Sequence, residues 1–263
     1  MAAWQHDGVA VVVSIAVAPV KGLALEHREA IELGSAGVED DRRYYLIDES
    51  GHLINQKRVP ALATVIPEIG ADGLRLRFPD GASVADEVGL GEEVTTSFYG
   101  RPVRGRIVSG PWSEALSAHV GSPLRLVRTD LAGDGVDRGS SAGVTLVSTG
   151  SLQALAAEAG RDWVDGRRFR MLLTVDGLEP HGEDAWLGLR VRAGSAVLDV
   201  VGNVGRCAVT TRDPDTGVRD LETLDLIEAY RGELPTTEPL PFGVWGRVVE
   251  PGRVSLGDAV EPL

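Results

Sequence analysis

Residues 202–217 run Gly-Asn-Val-Gly-Arg-Cys-Ala-Val-Thr-Thr-Arg-Asp-Pro-Asp-Thr-Gly, and the fold assignment depends most on this stretch. It contains Cys207, the only cysteine of the chain. The adjacent cation of Arg206 favours the thiolate, which is the form that binds soft metals. Gly202 and Gly205 allow the backbone to come close to a ligand. A buried free cysteine that packs as a small hydrophobe is the alternative interpretation of the same residues.

A single cysteine restricts the chemistry of the chain. It excludes an intramolecular disulfide, which fits a reducing compartment. It also excludes a cysteine-ligated iron–sulfur cluster or a cysteine-rich zinc site within one chain. The N-terminus has no basic segment, and the apolar run from Val9 to Val20 is too short to span a bilayer. We therefore expect a cytoplasmic protein with no membrane anchor.

The charge balance is acidic, with a formal net charge of −13. It argues against nucleic acid and against an anionic membrane as partners, because both require a basic surface. Clusters of basic residues therefore stand out against this background. They are ordinary solvated surface charge or groups that converge on one polyanion, and the sequence leaves both interpretations open. The clusters are Lys21, Arg42-Arg43, Lys57-Arg58, Arg167-Arg168 with Arg170, and Arg206.

Other catalytic patterns are weak. The five histidines show no metal-ligand spacing, and the motifs of nucleotide-binding loops are missing from the sequence. Ser148 and Ser151 have no histidine partner at motif spacing, which argues against a serine hydrolase. Glu183-Asp184 is either an acid–base pair or, more often for such a pair, a cap or turn.

The hydrophobic pattern predicts a mixed, β-rich α+β fold with few short helices. Val9–Val17 is a β-branched strand, and Asp48-Glu-Ser-Gly51 predicts a hairpin turn. Helices are predicted over 112–120, over 152–159 with Thr149 or Ser151 as the cap, and over 221–231. Residues 244–260 resemble the closing strands of a small barrel. The polar, glycine-rich loop 129–143 predicts a boundary between domains 1–128 and 129–263.

Several ordered motifs together resemble the MOSC family, named for the C-terminal part of molybdenum cofactor sulfurase. The central one is the Arg-Cys-x-x-Thr-Thr-x-Asp-Pro-Asp-Thr-Gly segment quoted above. The likeness covers nearly the whole chain, including the N-terminal β-barrel domain found in mitochondrial amidoxime reducing components and their bacterial relatives. The remaining motifs are Pro19-Val-Lys-Gly22, Asp41-Arg42 before Tyr44–Ile47, Arg168-Phe-Arg170, Glu183-Asp-Ala-Trp186, Phe242-Gly-Val-Trp245 and Gly252–Val260.

The resemblance implies a MOSC β-barrel packed with an N-terminal β-barrel-like domain that binds a molybdenum–molybdopterin cofactor. Cys207 corresponds to the molybdenum ligand and catalytic residue. Lys21 and Arg42 correspond to residues that hold the terminal phosphate, with Gly22 beside them. Contacts to the pterin and phosphate are implied for Ser148, Arg170, Arg206 and Trp245.

Three departures from the family pattern concern the substrate more than the cofactor. Leu172 stands where the family has an asparagine, and Gly22 replaces a serine. The loop 129–143 is shorter than in the reductase relatives, and such loops shape the mouth of a site.

The resemblance favours an oxidoreductase that reduces N-hydroxylated or other N-oxygenated small molecules. Electrons would come from a separate protein of the ferredoxin, flavodoxin or cytochrome b5 type, because one cysteine cannot hold an iron–sulfur cluster. The alternatives are a sulfurtransferase or carbon–sulfur enzyme that uses Cys207 as persulfide carrier or nucleophile, and a non-catalytic cofactor carrier.

Overall fold

A computed structural model describes residues 9–70, 73–139, 143–236 and 238–263. Within these ranges the chain forms eighteen strands and three α-helices, which confirms the β-rich prediction. The helices are α1 Trp112–Val120, α2 Thr149–Glu158 and α3 Thr223–Arg231. Short 3-10 helices span Pro60–Thr64, Gly166–Phe169, Gly182–Trp186 and Ala208–Thr211. The strands are β1 Ala10–Val17, β2 Glu26–His27, β3 Ala30–Leu33, β4 Tyr44–Ile47, β5 Leu53–Ile54, β6 Ile66–Gly70, β7 Gly73–Arg77, β8 Ser83–Ala85, β9 Gly89–Phe98, β10 Arg101–Ser109, β11 Arg125–Thr129, β12 Val144–Ser148, β13 Leu173–Asp176, β14 Arg190–Ala193, β15 Ala196–Gly205, β16 Pro241–Glu250, β17 Gly252–Ser255 and β18 Ala259–Pro262.

Seven strands close a β-barrel in the order β1, β13, β12, β16, β15, β14 and β18. The β12–β13 pair is parallel, and the other neighbouring pairs are antiparallel. Val12, Ile15, Leu146, Leu198 and Val260 belong to one buried core cluster, each at most 4% exposed. Burying an aliphatic side chain stabilises a fold by about 1.5–3 kcal/mol relative to exposure, so this core holds the barrel together.

The N-terminal half contains a five-stranded sheet, β5-β4-β11-β10-β9, and a three-stranded sheet, β6-β7-β8. Helix α1 joins the two sheets, because Trp112 and Leu116 are buried in one cluster with Leu46, Leu74 and Leu126. The Trp112 indole N–H donates to the carbonyl of Leu74 at 3.0 Å. A buried indole needs such a partner, and this bond anchors the helix.

The two halves of the chain share strands. Strand β1 closes the C-terminal barrel, and β3 pairs with β17. After β1 the chain crosses to the N-terminal sheet, where Val20 bridges Tyr44. The division into 1–128 and 129–263 stays a prediction, but a cut at that point would remove a strand from the barrel.

Helix α1 lies where the sequence predicts it, and α3 begins two residues later than predicted. The predicted cap of α2 is wrong. Ser148 is the cap, and its Oγ accepts from the Ser151 N–H at 3.0 Å. Ser148 leaves β12 in an extended conformation directly before the first helical residue, which is the position that a capping side chain must occupy.

Candidate functional site

A cleft of about 160 Å³ lies where the barrel meets the N-terminal half. Cys207 lines this cleft directly after strand β15, and its side chain is exposed. The interpretation of Cys207 as a buried hydrophobe is therefore wrong. The residue precedes the 3-10 helix Ala208–Thr211, and its carbonyl accepts from the Thr210 N–H at 3.0 Å. This hydrogen bond fixes the backbone of Cys207, from which the side-chain sulfur extends.

The segment between β1 and β4 brings Lys21 and Arg42 to one wall of the cleft. The Lys21 N–H donates to the Tyr44 carbonyl at 2.7 Å, and the Arg42 N–H donates to the Ala18 carbonyl at 2.7 Å. The two segments therefore run side by side. Two residues about twenty positions apart in sequence become neighbours because the backbones are paired.

Gly22 also lines the cleft, at a position where the family pattern has a serine. Its φ is +90°, and a Cβ there would come within 2.9 Å of the Asn55 Cα. Glycine is the residue that accepts both conditions without strain. The local backbone of this chain therefore requires glycine at this position.

Arg170 faces Arg42 from the barrel side. It caps the 3-10 helix Gly166–Phe169, its Nη1 donates to the Leu23 carbonyl at 2.8 Å, and its own carbonyl accepts from Arg42 Nη2 at 3.1 Å. Arg42 and Arg170 both have left-handed backbones, with φ of +52° and +54°, and so does Tyr99 at the cleft mouth, with φ of +52°. Strained backbone of this kind tends to concentrate at binding sites.

Arg206 is held by neutral acceptors. Its Nε donates to the Phe242 carbonyl at 2.8 Å, and its Nη1 donates to the Phe169 carbonyl at 3.0 Å. The guanidinium also lies 5.2 Å from the centroid of the Phe169 ring. These contacts orient the guanidinium beside Cys207 and leave its charge unneutralised.

Positive charge dominates the cleft, although the protein as a whole is acidic. Six cationic side chains line it against two carboxylates, so its wall opposes the net charge of −13. Among the described residues, Arg170 and Arg206 form no salt bridge. The cations are Lys21, Arg42, Arg138, Arg168, Arg170 and Arg206, and the carboxylates are Asp41 and Asp137.

Burial of these cations lowers their pKa values. Burial, followed by the charge of Arg42, lowers the pKa of Arg170 to about 10. Burial lowers the pKa of Arg206 to about 9, against an opposing effect of Cys207. Burial also lowers the pKa of Lys21, and the nearby Arg42 and Arg170 add to this. An anion in the cleft would favour the charged forms of these side chains and offset both their burial and their mutual repulsion. This is the electrostatic property of an anion-binding site.

Asp137, in the loop 129–143, provides the carboxylate that pairs with Lys21. Its Oδ1 lies 2.5 Å from the Lys21 Nζ, which also donates to the Gly135 carbonyl at 3.0 Å. Partial desolvation raises the pKa of Asp137, but the charges of Lys21, Arg42 and Arg138 lower it overall. The loop thus uses two of the three ammonium donors and leaves one for a ligand.

The structure does not bring Ser148 and Trp245 to the cleft wall. Ser148 is fully buried and hydrogen-bonds Ser151, which in turn donates to Glu183 at 2.6 Å. Trp245 packs under the guanidinium of Arg138, at 5.7 Å from the ring centroid. Its link to the cleft is therefore indirect, through Arg138. The proposed contacts of both residues with a cofactor stay predictions.

Glu183 and Asp184 do not form an acid–base pair at the cleft. Glu183 is fully buried in the serine network, and Asp184 pairs with Arg231. Burial, and then the charge of Arg231, lower the pKa of the neighbouring His181 to about 4. These residues stabilise the barrel end near helix α2.

His181 gives the protein a predicted acid-sensitive element. A histidine in an unfolded chain has a pKa of about 6.5, so the unfolded state gains a proton before the folded state does. The stabilising contribution is complete above about pH 6.5 and is lost as the pH falls towards 4. We expect His181→Asn, which suits the φ of +60° at this position, to flatten the dependence of Tm on pH in this window. Parallel wild-type and variant curves would contradict the assignment.

Sequence reasoning missed several cleft residues, most importantly Tyr99, Asp137 and Arg138. Tyr99 lies in the turn between β9 and β10, and the other two belong to the polar loop 129–143, which the sequence indicated as a domain boundary. The one sequence feature that could have indicated a role in the cleft is their position in polar turns, with an aromatic or charged residue at the tip. The chain segments that meet there are too distant for any local pattern to connect them.

Within the described residues, no group of three or more His, Cys, Asp or Glu side chains is arranged to hold a metal ion. No described helix has the length and apolarity needed to cross a membrane.

Comparison with known proteins adds independent observations. Residues 133–261 match the MOSC domain, and residues 9–104 match the MOSC N-terminal beta barrel domain. Mitochondrial amidoxime-reducing component 1 of Xenopus laevis is 25% identical, over 96% of this chain and 82% of the relative. Its counterpart in Danio rerio is 26% identical, over 96% and 84%. Molybdenum cofactor sulfurase of Danio rerio is 25% identical, over 86% of this chain and 30% of the relative.

The fold and the site together define a class of β-barrel protein with an exposed cysteine in a cation-lined cleft between two β units. The two domain matches lie in the expected order and together span most of the chain. The chain therefore belongs to the MOSC family.

Proposed function

We propose that this protein binds a molybdenum–molybdopterin cofactor in the cleft and reduces N-hydroxylated or other N-oxygenated small molecules. The observation that carries the proposal is the exposed sulfur of Cys207 in the same cleft as Arg170 and Arg206. A thiolate suits a soft metal, and guanidinium groups suit a phosphate. The names of the relatives support a role in molybdenum cofactor chemistry.

The cleft residues fit such a cofactor. The Nη2 of Arg170 is buried and has no hydrogen-bond partner among the described residues. Buried donors are normally paired, so this N–H is available to an oxygen of an incoming ligand. Lys21, Gly22 and Arg42 would hold the terminal phosphate, Arg170 and Arg206 would hold the pterin side, and Cys207 would bind molybdenum.

When bound, molybdenum would supply two-electron oxygen-atom chemistry. Reduction of an N–OH group consumes two electrons and two protons and releases water. Partial desolvation and the charge of the nearby Asp137 raise the pKa of Tyr99, so its hydroxyl stays protonated at neutral pH. Tyr99 can therefore donate a hydrogen bond to a substrate at the cleft mouth. The electrons would come from a separate ferredoxin, flavodoxin or cytochrome b5-like protein.

Metal and pterin analysis tests the proposal. We expect protein isolated from a host that makes molybdenum cofactor to contain molybdenum and pterin in equal amounts. With a chemical reductant, it should convert a simple N-hydroxylated amidine to the amidine. Protein from the same host with neither molybdenum nor pterin would contradict the proposal.

Sulfur transfer is the second candidate, because the Cys207 side chain is exposed and one relative is a cofactor sulfurase. In that case Cys207 would carry a persulfide or act as a nucleophile. A metal-free protein with a persulfide on Cys207, detected by mass spectrometry, would favour this candidate. Bound cofactor without turnover of any N-hydroxylated compound would favour a carrier.

A further inference from the structure

A basic and aromatic surface borders the mouth of the cleft. Lys57 and Arg58 are both exposed and directly follow Asn55 and Gln56, which line the cleft. The Asn55 side-chain amide donates to the Tyr99 hydroxyl at 3.4 Å, and Tyr99 is 69% exposed. Partial desolvation raises the pKa of the Tyr99 hydroxyl, and the charge of Arg58 has a smaller, opposing effect. We call Lys57, Arg58 and Tyr99 the rim.

The two rim cations have no structural task that would explain their position. In the part of the chain that the structure describes, neither side chain forms a salt bridge, and neither lines the cleft. By contrast, Arg138, which lines the cleft, pairs with Glu238 at 3.0 Å. The charges of Lys57 and Arg58 are therefore free to act on a molecule that approaches the mouth.

The acidic net charge of the protein distinguishes the basic rim as a binding site for an acidic partner. A chain with a net charge of −13 repels an acidic partner over most of its surface. Attraction at the rim would orient such a partner and raise its association rate. Exposed Tyr and Arg are also the residue types enriched in protein interfaces.

We propose that the rim is the docking surface for an acidic electron-donor protein, which would transfer its electrons into the cleft. The inference rests on the proposed function and specifies where its partner binds. Each N–OH group reduced would take two electrons, from two one-electron ferredoxins or from one fully reduced flavodoxin, with two protons from solvent.

Charge reversal at the rim tests the inference. The probe is an acidic [2Fe–2S] ferredoxin, titrated calorimetrically against the full-length protein at roughly 0.01 M and 0.15 M salt, where the Debye length is about 30 Å and 8 Å. We expect the Lys57→Glu/Arg58→Glu variant to bind at least about tenfold more weakly than wild type at low salt. The difference should shrink at the higher salt concentration.

The matched control is Arg75→Glu/Arg192→Glu, a pair of exposed arginines on β7 and β14 that do not line the cleft. It should bind ferredoxin close to wild type. Equal weakening in both double variants would show a general charge effect and overturn the proposal, as would unchanged binding of the rim variant or no binding by wild type.

The same proteins separate this inference from the proposed function. Binding is measured without turnover, so wild type that binds ferredoxin through the rim but holds no molybdenum would leave the docking surface standing. Loaded protein that reduces an N-hydroxylated amidine with dithionite but binds no ferredoxin would overturn the docking surface alone.

Discussion

Replacement of Cys207 by alanine is expected to abolish molybdenum-dependent reduction while the protein stays folded. The side chain is exposed, and surface substitutions usually change the free energy of unfolding by less than about 0.5 kcal/mol. The thiolate would be the only protein ligand to the metal in the proposed site, so no other side chain replaces it. Turnover of an N-hydroxylated amidine by cofactor-loaded protein, together with Tm, measures both effects.

The anion-binding part of the cleft provides an internal control for this variant. Because Cys207 contributes no positive charge, Cys207→Ala should bind inorganic phosphate as wild type does. Retained molybdenum-dependent turnover would show that the sulfur is not the ligand. A large fall in Tm would show a structural role for the cysteine instead.

Replacement of Lys21 by methionine is expected to weaken phosphate binding, with only a modest loss of stability from the missing hydrogen bond to the Gly135 carbonyl. A hydrogen bond to a charged group contributes about 1.5–3 kcal/mol, which corresponds to roughly a 10- to 100-fold loss of affinity. Lys21 is only 7% exposed and its pKa is lowered by burial, so the fold gains little from its charge. Methionine keeps the length of the side chain and removes the desolvation cost. Asp137 is left without its partner, but its side chain is 55% exposed and water can solvate it.

Lys57 is the other lysine of the chain, so Lys57→Met is the matched control. It is exposed and does not line the cleft, and its phosphate affinity should stay close to wild type. Titration calorimetry with inorganic phosphate and thermal unfolding of both variants check the prediction. Equal phosphate affinity in wild type and Lys21→Met would remove Lys21 from the anion site.

Much of the site could be predicted from the sequence, because ordered motifs identified the residues that meet there. Lys21, Gly22, Arg42, Arg170, Arg206 and Cys207 were all assigned from their motifs, and all line one cleft. Ser148 was assigned in the same way but is the cap of a helix. A motif indicates which residues occur together in a family, and it does not show which of them face the ligand.

The left-handed backbones of Arg42 and Arg170 could not be predicted. Nothing in their local sequence favours a positive φ for an arginine, since glycine and asparagine are the residues that adopt it readily. Packing imposes it. The carbonyl of Arg42 faces Gly135, where a Cβ would come within 1.8 Å, and the carbonyl of Arg170 accepts from Arg42.

Local pattern and motif order were sufficient for the family, the β-rich fold, helix α1 and the selection of Cys207, which the structure places in the cleft. The acidic net charge of the sequence was sufficient to identify its clusters of basic residues as unusual. Tertiary structure alone decided that β1 closes the distant barrel, that Asp137 pairs with Lys21, and that the arginines converge on one cleft. The reason is physical: strand pairing and charge pairing here join residues more than a hundred positions apart, and short-range periodicity carries no information on such contacts.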